Sequence, residues 1–124
     1  MPHNKPLTKK QAEGFAAEWI AAWNSRDMDR ILGHYSDDFE FTSPFIIAVV
    51  GEPSGRLKGK PAVRAYWEKA LKRRPKLHFT TTSVLWGIRS VVINYSREDG
   101  NNAAEWFELG ADGKVTRSAA HYAD

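Results

Sequence analysis

Downstream of Pro75 the apolar residues stop recurring every three or four positions and begin to alternate, which commits the second half of the chain to a sheet. Segments 77–86, 88–97, 102–109 and 114–122 alternate in this way, separated by Gly87, by Asp99-Gly100 and by Asp112-Gly113. Asp-Gly is hairpin chemistry, because glycine supplies the positive φ that tight turns require. Four consecutive strands with short turns predict an antiparallel meander.

The first half is helical. Thr8 and Gln11 form a T-x-x-Q capping box, in which hydroxyl and amide satisfy each other's orphan backbone donors. Ala12, Phe15, Ala16, Trp19, Ile20 and Trp23 then follow at helical spacing and make one strongly aromatic face. Asn24, Ser25 and Arg26 break that helix. Asp27 caps a second, with Met28, Ile31, Leu32 and Tyr35 as its apolar stripe. Phe39, Phe41 and Ser43 alternate with acidic and hydroxyl residues as a short strand stopped by Pro44. The run IIAVV within 45–60 reads as either a strand or a buried loop, and the glycines after it as a loop. Pro61 suits the first turn of a third helix, lined by Val63, Tyr66, Trp67, Ala70 and Leu71 and ended by Pro75. Helices followed by strands predict an α+β domain: three N-terminal helices on one face of a strongly curved, mainly antiparallel sheet, with residues 1–124 as one domain.

Composition bounds the function. With 42% hydrophobic and 27% charged residues, the chain reads as soluble and globular. The absence of cysteine removes disulfides and thiolate chemistry. The opening MPHNKPLTKK has no apolar run, and no stretch is long enough to span a membrane, so neither a signal peptide nor a membrane partner is expected and the cytoplasm is the default location. A basic knot at Lys69, Lys72, Arg73, Arg74 and Lys76 reads as a solvated helix end. A nucleic-acid partner is not expected, because helical spacing buries the tryptophan rings that would stack on bases.

Residues 102–109, NAAEWFEL, carry the sharpest question. In a strand, Ala103, Glu105, Phe107 and Leu109 share one face, so a carboxylate sits in the more apolar row. Burial would raise its pKa, since desolvation penalises the charged form. Such a group is either an acid or base in a pocket, or a structural carboxyl paired with an arginine or with indole donors. His121 and Tyr122 in the last strand point to opposite faces unless a bulge intervenes. A bulge would set His121 beside Glu105 as an acid–base pair.

Several other patterns carry no chemistry. GRLKGKP lacks phosphate-loop spacing, and G-x-S-x-G is absent. His34 near Asp37 and Asp38 has no metal-ligand spacing, so no metal is expected. Five tryptophans in so short a chain exceed the needs of a small core and suit a flat, apolar ligand.

The segment AAWNSRDMDRILGHYSDDFEFTSP, followed by SGRLKGKPAVRAYWEKAL and WFELGADGKV, resembles the nuclear transport factor 2-like superfamily and, within it, the SnoaL-like cyclases and ketosteroid isomerases. The resemblance implies a cone, in which a bent sheet wraps the first helix, encloses a pocket and often dimerises through its outer face. It matches Ser43 to the position of the isomerase base, Trp19 to the oxyanion tyrosine, Trp67 to a tyrosine of the third helix, and Glu105 to the protonated aspartate. It also turns Tyr122 inward with Ser118 and Ala120, and His121 outward.

Two readings of function follow. In one, the chain is a cofactor-independent isomerase or cyclase that transfers a proton on a hydrophobic carbonyl compound. Glu105, Tyr122 and His121 are then the catalytic candidates, Trp19 and Tyr122 the donors, and Trp23, Phe41, Ser43, Trp67 and Phe107 the ligand-binding walls. In the other, it is a noncatalytic small-ligand-binding or dimerisation module, consistent with the base missing at Ser43. In both a homodimer is expected, with Trp86 and Trp106 pointing away from the helices.

Overall fold

The computed structural model describes residues 5–123. The first four residues of the opening segment, on which the leader expectation partly rests, lie outside that range. Helix α1 (Lys9–Ser25) starts at the Thr8–Gln11 capping box and ends at Arg26, whose backbone adopts the left-handed conformation (φ 61°). Asp27 caps α2 (Met28–Leu32), which stops short of Tyr35. Tyr35 instead opens strand β1 (Tyr35–Thr42), a longer strand than alternation alone predicts.

Residues 45–60 differ most from expectation. Ser43 caps a helix, α3 (Pro44–Val50), by accepting from the Phe45 N–H, so Pro44 starts an element as well as ending one. The run IIAVV is therefore helical, and Gly51 closes the helix at φ 76°. The short strand β2 (Arg56–Lys58) then precedes α4 (Lys60–Arg73), which carries Pro61 in its first turn. The four predicted strands form as β3 (Thr80–Trp86), β4 (Ser90–Ser96), β5 (Asn102–Leu109) and β6 (Val115–Tyr122), each shorter than its alternating segment or equal to it.

The six strands lie in the order β2-β1-β6-β5-β4-β3. All pairs are antiparallel except β1 with β6, where the chain returns to its first strand in parallel. Register shifts between Tyr35 and Glu40, between Thr81 and Ser83, and between Glu108 and Leu109 bend the sheet. An extra residue on one strand increases local twist and curls the ladder. The result is an open, curled sheet against which the helices pack, an α+β cone.

The concave face carries the core. In β4 the inward row is Val91, Ile93 and Tyr95, and in β5 it is Ala103, Glu105, Phe107 and Leu109, all buried. From α1, the rings of Trp19 and Trp23 insert between sheet and helix α4. Arg26 ties two helix ends together: its guanidinium donates to the carbonyls of Leu71 at 2.7 Å and Arg74 at 2.9 Å, at the end of α4. A cation there also complements the helix dipole. Among the described residues, no helix is long and apolar enough to cross a membrane.

Candidate functional site

Glu105 sits in the middle of β5, opposite Ile93 of β4 and Ala120 of β6. Its side chain is enclosed, with 4% of the residue exposed. The Tyr95 hydroxyl donates to Oε1 across a long 3.4 Å, and no cation pairs with the carboxylate among the described residues. Burial therefore dominates and pushes the carboxyl from the usual 4.5 up to about 8, against the smaller opposing effect of the Tyr95 hydrogen bond. Near neutral pH this is a protonated acid in an apolar setting.

The carboxyl faces a cavity of ≈ 80 Å³ between α1, α4 and the sheet, with aromatic walls. Trp19, Trp23, Phe41 and Trp67 contribute to them, and so do Phe79 and Tyr95. The rings interlock edge to face: Trp23 on Trp67 at 5.0 Å, Phe41 on Trp67 at 5.3 Å, and Trp19 on Tyr95 at 5.5 Å between centroids. Such offset contacts match positive ring edges to negative faces.

The expected donor role of Trp19 changes. Its indole Nε1–H donates to the Tyr35 hydroxyl at 2.9 Å inside the core, so the group is already engaged. Trp23 is the converse. Its indole N–H is buried and finds no acceptor among the described residues. Phe107 is not part of the cavity wall: fully buried, it packs edge-on to Phe15 at 4.9 Å and to Trp19 at 5.2 Å, beneath the lining rings.

At the other end of the cavity, Tyr122 stacks on Phe45 at 4.3 Å. Burial raises its phenol pKa, the nearby Glu105 carboxyl raises it further, and hydrogen bonding to Ser43 opposes both. Tyr66 is shifted upward by burial and also interacts with Ser43. Ser43 is buried and caps α3, so its hydroxyl sits between two tyrosines at the edge of the cavity rather than on its wall. Arg97 adds a buried guanidinium to the lining, 5.0 Å from the Tyr122 ring centroid.

His121 does not join Glu105. The β5–β6 register runs without interruption from Phe107↔Ser118 to Ala103↔Tyr122, and its shift lies earlier, beyond Glu108. Parity therefore holds: Ser118, Ala120 and Tyr122 turn inward, while His121 is exposed on the convex face. The bulge that would have paired His121 with Glu105 is at the wrong end of the strand. His34 sits away from the cavity, 3.5 Å from Glu18, and among the described residues no three His, Asp or Glu side chains cluster as metal ligands.

With this geometry, the sequence profile of the SnoaL-like domain matches residues 16–121, spanning both α1 and the last strand. The chain belongs to the SnoaL-like family. A SnoaL-like protein of unknown function from Burkholderia thailandensis has the same fold at 48% identity, with a TM-score of 0.92 over 97% of this chain and 100% of that one. A candidate isomerase of the SnoaL-like family from Agrobacterium tumefaciens matches at 14% identity and a TM-score of 0.74, covering 93% of this chain and 99% of the other. SalBIII, an epoxide hydrolase/cyclase-like enzyme of pyran-ring formation in salinomycin, matches at 16% identity and a TM-score of 0.71, with 92% of each chain covered. At the lower identities the likeness is one of fold. No functionally curated protein matches the sequence.

Within the SnoaL-like cone, sequence reasoning missed Tyr66, Tyr95 and Arg97 as cavity residues. For Tyr95 the signal was present, because Val91, Ile93 and Tyr95 alternate in the sequence. Tyr66 neighbours Trp67 on the buried face of α4. Arg97 carried no such signal, since it follows β4 and turns inward only where the strand ends. The convex face also differs in detail. Trp86 pairs with Val91 and so belongs to the inner row at its open edge, whereas Leu85, Val92, Trp106 and Ala119 stand side by side on the outer face.

Proposed function

We propose that this SnoaL-like domain binds a flat, hydrophobic carbonyl compound in its aromatic cavity and transfers a proton at the carbon beside the carbonyl, as an isomerase or cyclase does. One observation carries the reading: Glu105 is buried among aromatic rings, no cation is paired with it among the described residues, and its carboxyl is pushed up to about 8. A group poised there is half protonated in mildly alkaline solution, so it can donate to a carbonyl oxygen or, once ionised, remove a proton from carbon. Tyr95 steadies it, and Tyr122 stands close enough for its phenol to feel the carboxyl charge. A candidate isomerase of the SnoaL-like family and an epoxide hydrolase/cyclase-like enzyme share this fold, which supports a reading as a small-molecule enzyme.

The experiment is deuterium exchange into 2-tetralone, followed by proton NMR in D₂O. Enzyme-dependent loss of the protons next to the carbonyl is expected, with Glu105→Gln slowing it by about 10²-fold or more. Saturable binding without exchange favours the second reading, a noncatalytic binding or dimerisation module. Ser43 supports that alternative, because the residue at the base position of the isomerases is committed to capping α3. In either case the domain pairs with a second copy through the convex face, where Val92, Ala104, Trp106, Ala119 and His121 line an apolar hollow.

A further inference from the structure

Two tryptophans one helical turn apart on α1 have opposite hydrogen-bonding fates. Trp19 gives its N–H to Tyr35 at 2.9 Å. Trp23, only 6% exposed and part of the cavity wall, has a buried indole N–H with no acceptor among the described residues. An indole nitrogen is a donor only, so no rotation of its own can satisfy it. A buried donor left without a partner is costly, which is why unpartnered ones are rare in native proteins. An acceptor brought into the cavity by a ligand would relieve that cost.

Position defines what such a ligand must look like. Trp23 touches Trp67 at 5.0 Å, Phe79 at 5.8 Å and Trp19 at 6.2 Å. Tyr95 lies beyond both Trp19, at 5.5 Å, and Phe79, at 4.5 Å, and it is Tyr95 that bonds Glu105. The ring contacts of Trp23 thus lead to Tyr95 and the carboxyl through Trp19 or Phe79, and the two residues are separate polar points on the lining of one cavity. We infer that Trp23 is a specificity-determining residue whose indole N–H binds a second oxygen acceptor, so that the preferred ligand is a flat aromatic compound with two oxygens at opposite ends. The inference rests on the proposed function only in taking the cavity as the ligand site.

Two probes of matched shape test it: 1,4-diacetylbenzene and 4-isopropenylacetophenone, which share one ketone and differ by an oxygen or a methylene at the far end. Binding is followed by the indole resonances in ¹H–¹⁵N spectra, with Trp23 assigned from Trp23→Phe. The diketone is expected to bind roughly tenfold more tightly, the worth of one neutral hydrogen bond and well above its twofold symmetry advantage. It should also move the Trp23 Nε1–H downfield, which the other probe should not. Trp23→Phe keeps a ring but removes the donor, so the affinity gap should collapse there and persist in Glu105→Gln.

Equal affinities, or a Trp23 N–H held upfield over the Trp67 ring and indifferent to both probes, would overturn the inference. Because the affinity gap between the two probes is measured on the wild type, a poorly folded Trp23→Phe does not remove the test. A gap without deuterium exchange keeps the inference and defeats the proton-transfer reading, and exchange without a gap does the reverse. If neither probe binds, the inference falls, and the proton-transfer reading is decided by the 2-tetralone exchange alone.

Discussion

Trp19 and Tyr35, 16 residues apart, join helix α1 to strand β1 through a fully buried bond of 2.9 Å from indole nitrogen to phenol oxygen. Tyr35→Phe removes the acceptor while keeping the ring and strands the Trp19 N–H in a place water does not reach. A loss of about 1–3 kcal/mol is expected, read as a lower urea midpoint with an unchanged slope. A variant as stable as the parent would mean that Trp19 finds another acceptor.

Glu105 gives the folded protein a dependence on pH. Its folded pKa of about 8 lies above the usual 4.5, so the folded state holds a proton that the unfolded state has released. The sign follows: the wild type loses stability as pH rises from about 4.5 to about 8, at up to roughly 1.4 kcal/mol per unit, and levels off above that window. Glu105→Gln retains the shape of the neutral acid and cannot ionise, so its advantage over the wild type should widen across the same range. Urea midpoints from pH 4 to 9 report this. A variant less stable at pH 8 is incompatible with a neutral Glu105.

Trp67 is cavity wall and core at once, meeting Trp23, Tyr35, Phe39 and Phe41. Trp67→Ala is therefore expected to cost about 3–5 kcal/mol in addition to weakening ligand binding. Urea unfolding of the free protein separates the two effects, and a stability within 1 kcal/mol of wild type, on the order of surface changes, would make the ring wall only.

The outer-face dimer predicts light scattering at twice the 14.0 kDa chain mass. Trp106→Glu, which puts a charge into the apolar row with Leu85, Val92 and Ala119, should shift the mass to that of one chain. An unchanged mass in the variant would move the interface elsewhere.

Local signals in the sequence translated directly. The Thr8–Gln11 box, the Asp27 cap and the glycine turns act within a few residues, and strand parity alone turned Glu105 inward. What parity could not supply was the partner of each inward group. That Trp19 is engaged and Trp23 is not depends on Tyr35, whose place in a strand rather than in α2 is set by packing. The helix at IIAVV was hidden because β-branched residues favour strands, and the Ser43 cap with Pro44 and Gly51 overrides that preference. Phe107 was misplaced for a related reason: parity gives a face but not a depth, and the helix above decides which inward ring reaches the cavity.

The parallel pairing of β1 with β6 has a consequence for the order of events during synthesis. The two strands are neighbours in the sheet although the rest of the sheet lies between them in the chain, so until residues 115–122 emerge β1 lacks its inner neighbour and β5 remains an edge. Contacts of such long sequence separation form late, because the intervening loop must be closed before they repay it. Tyr122, which closes the cavity against Phe45, sits on that final strand. The nascent chain can thus assemble α1 and the β3–β5 meander while it is still tethered to the ribosome, but the aromatic cavity stays open on one side until residues 115–122 have emerged and paired.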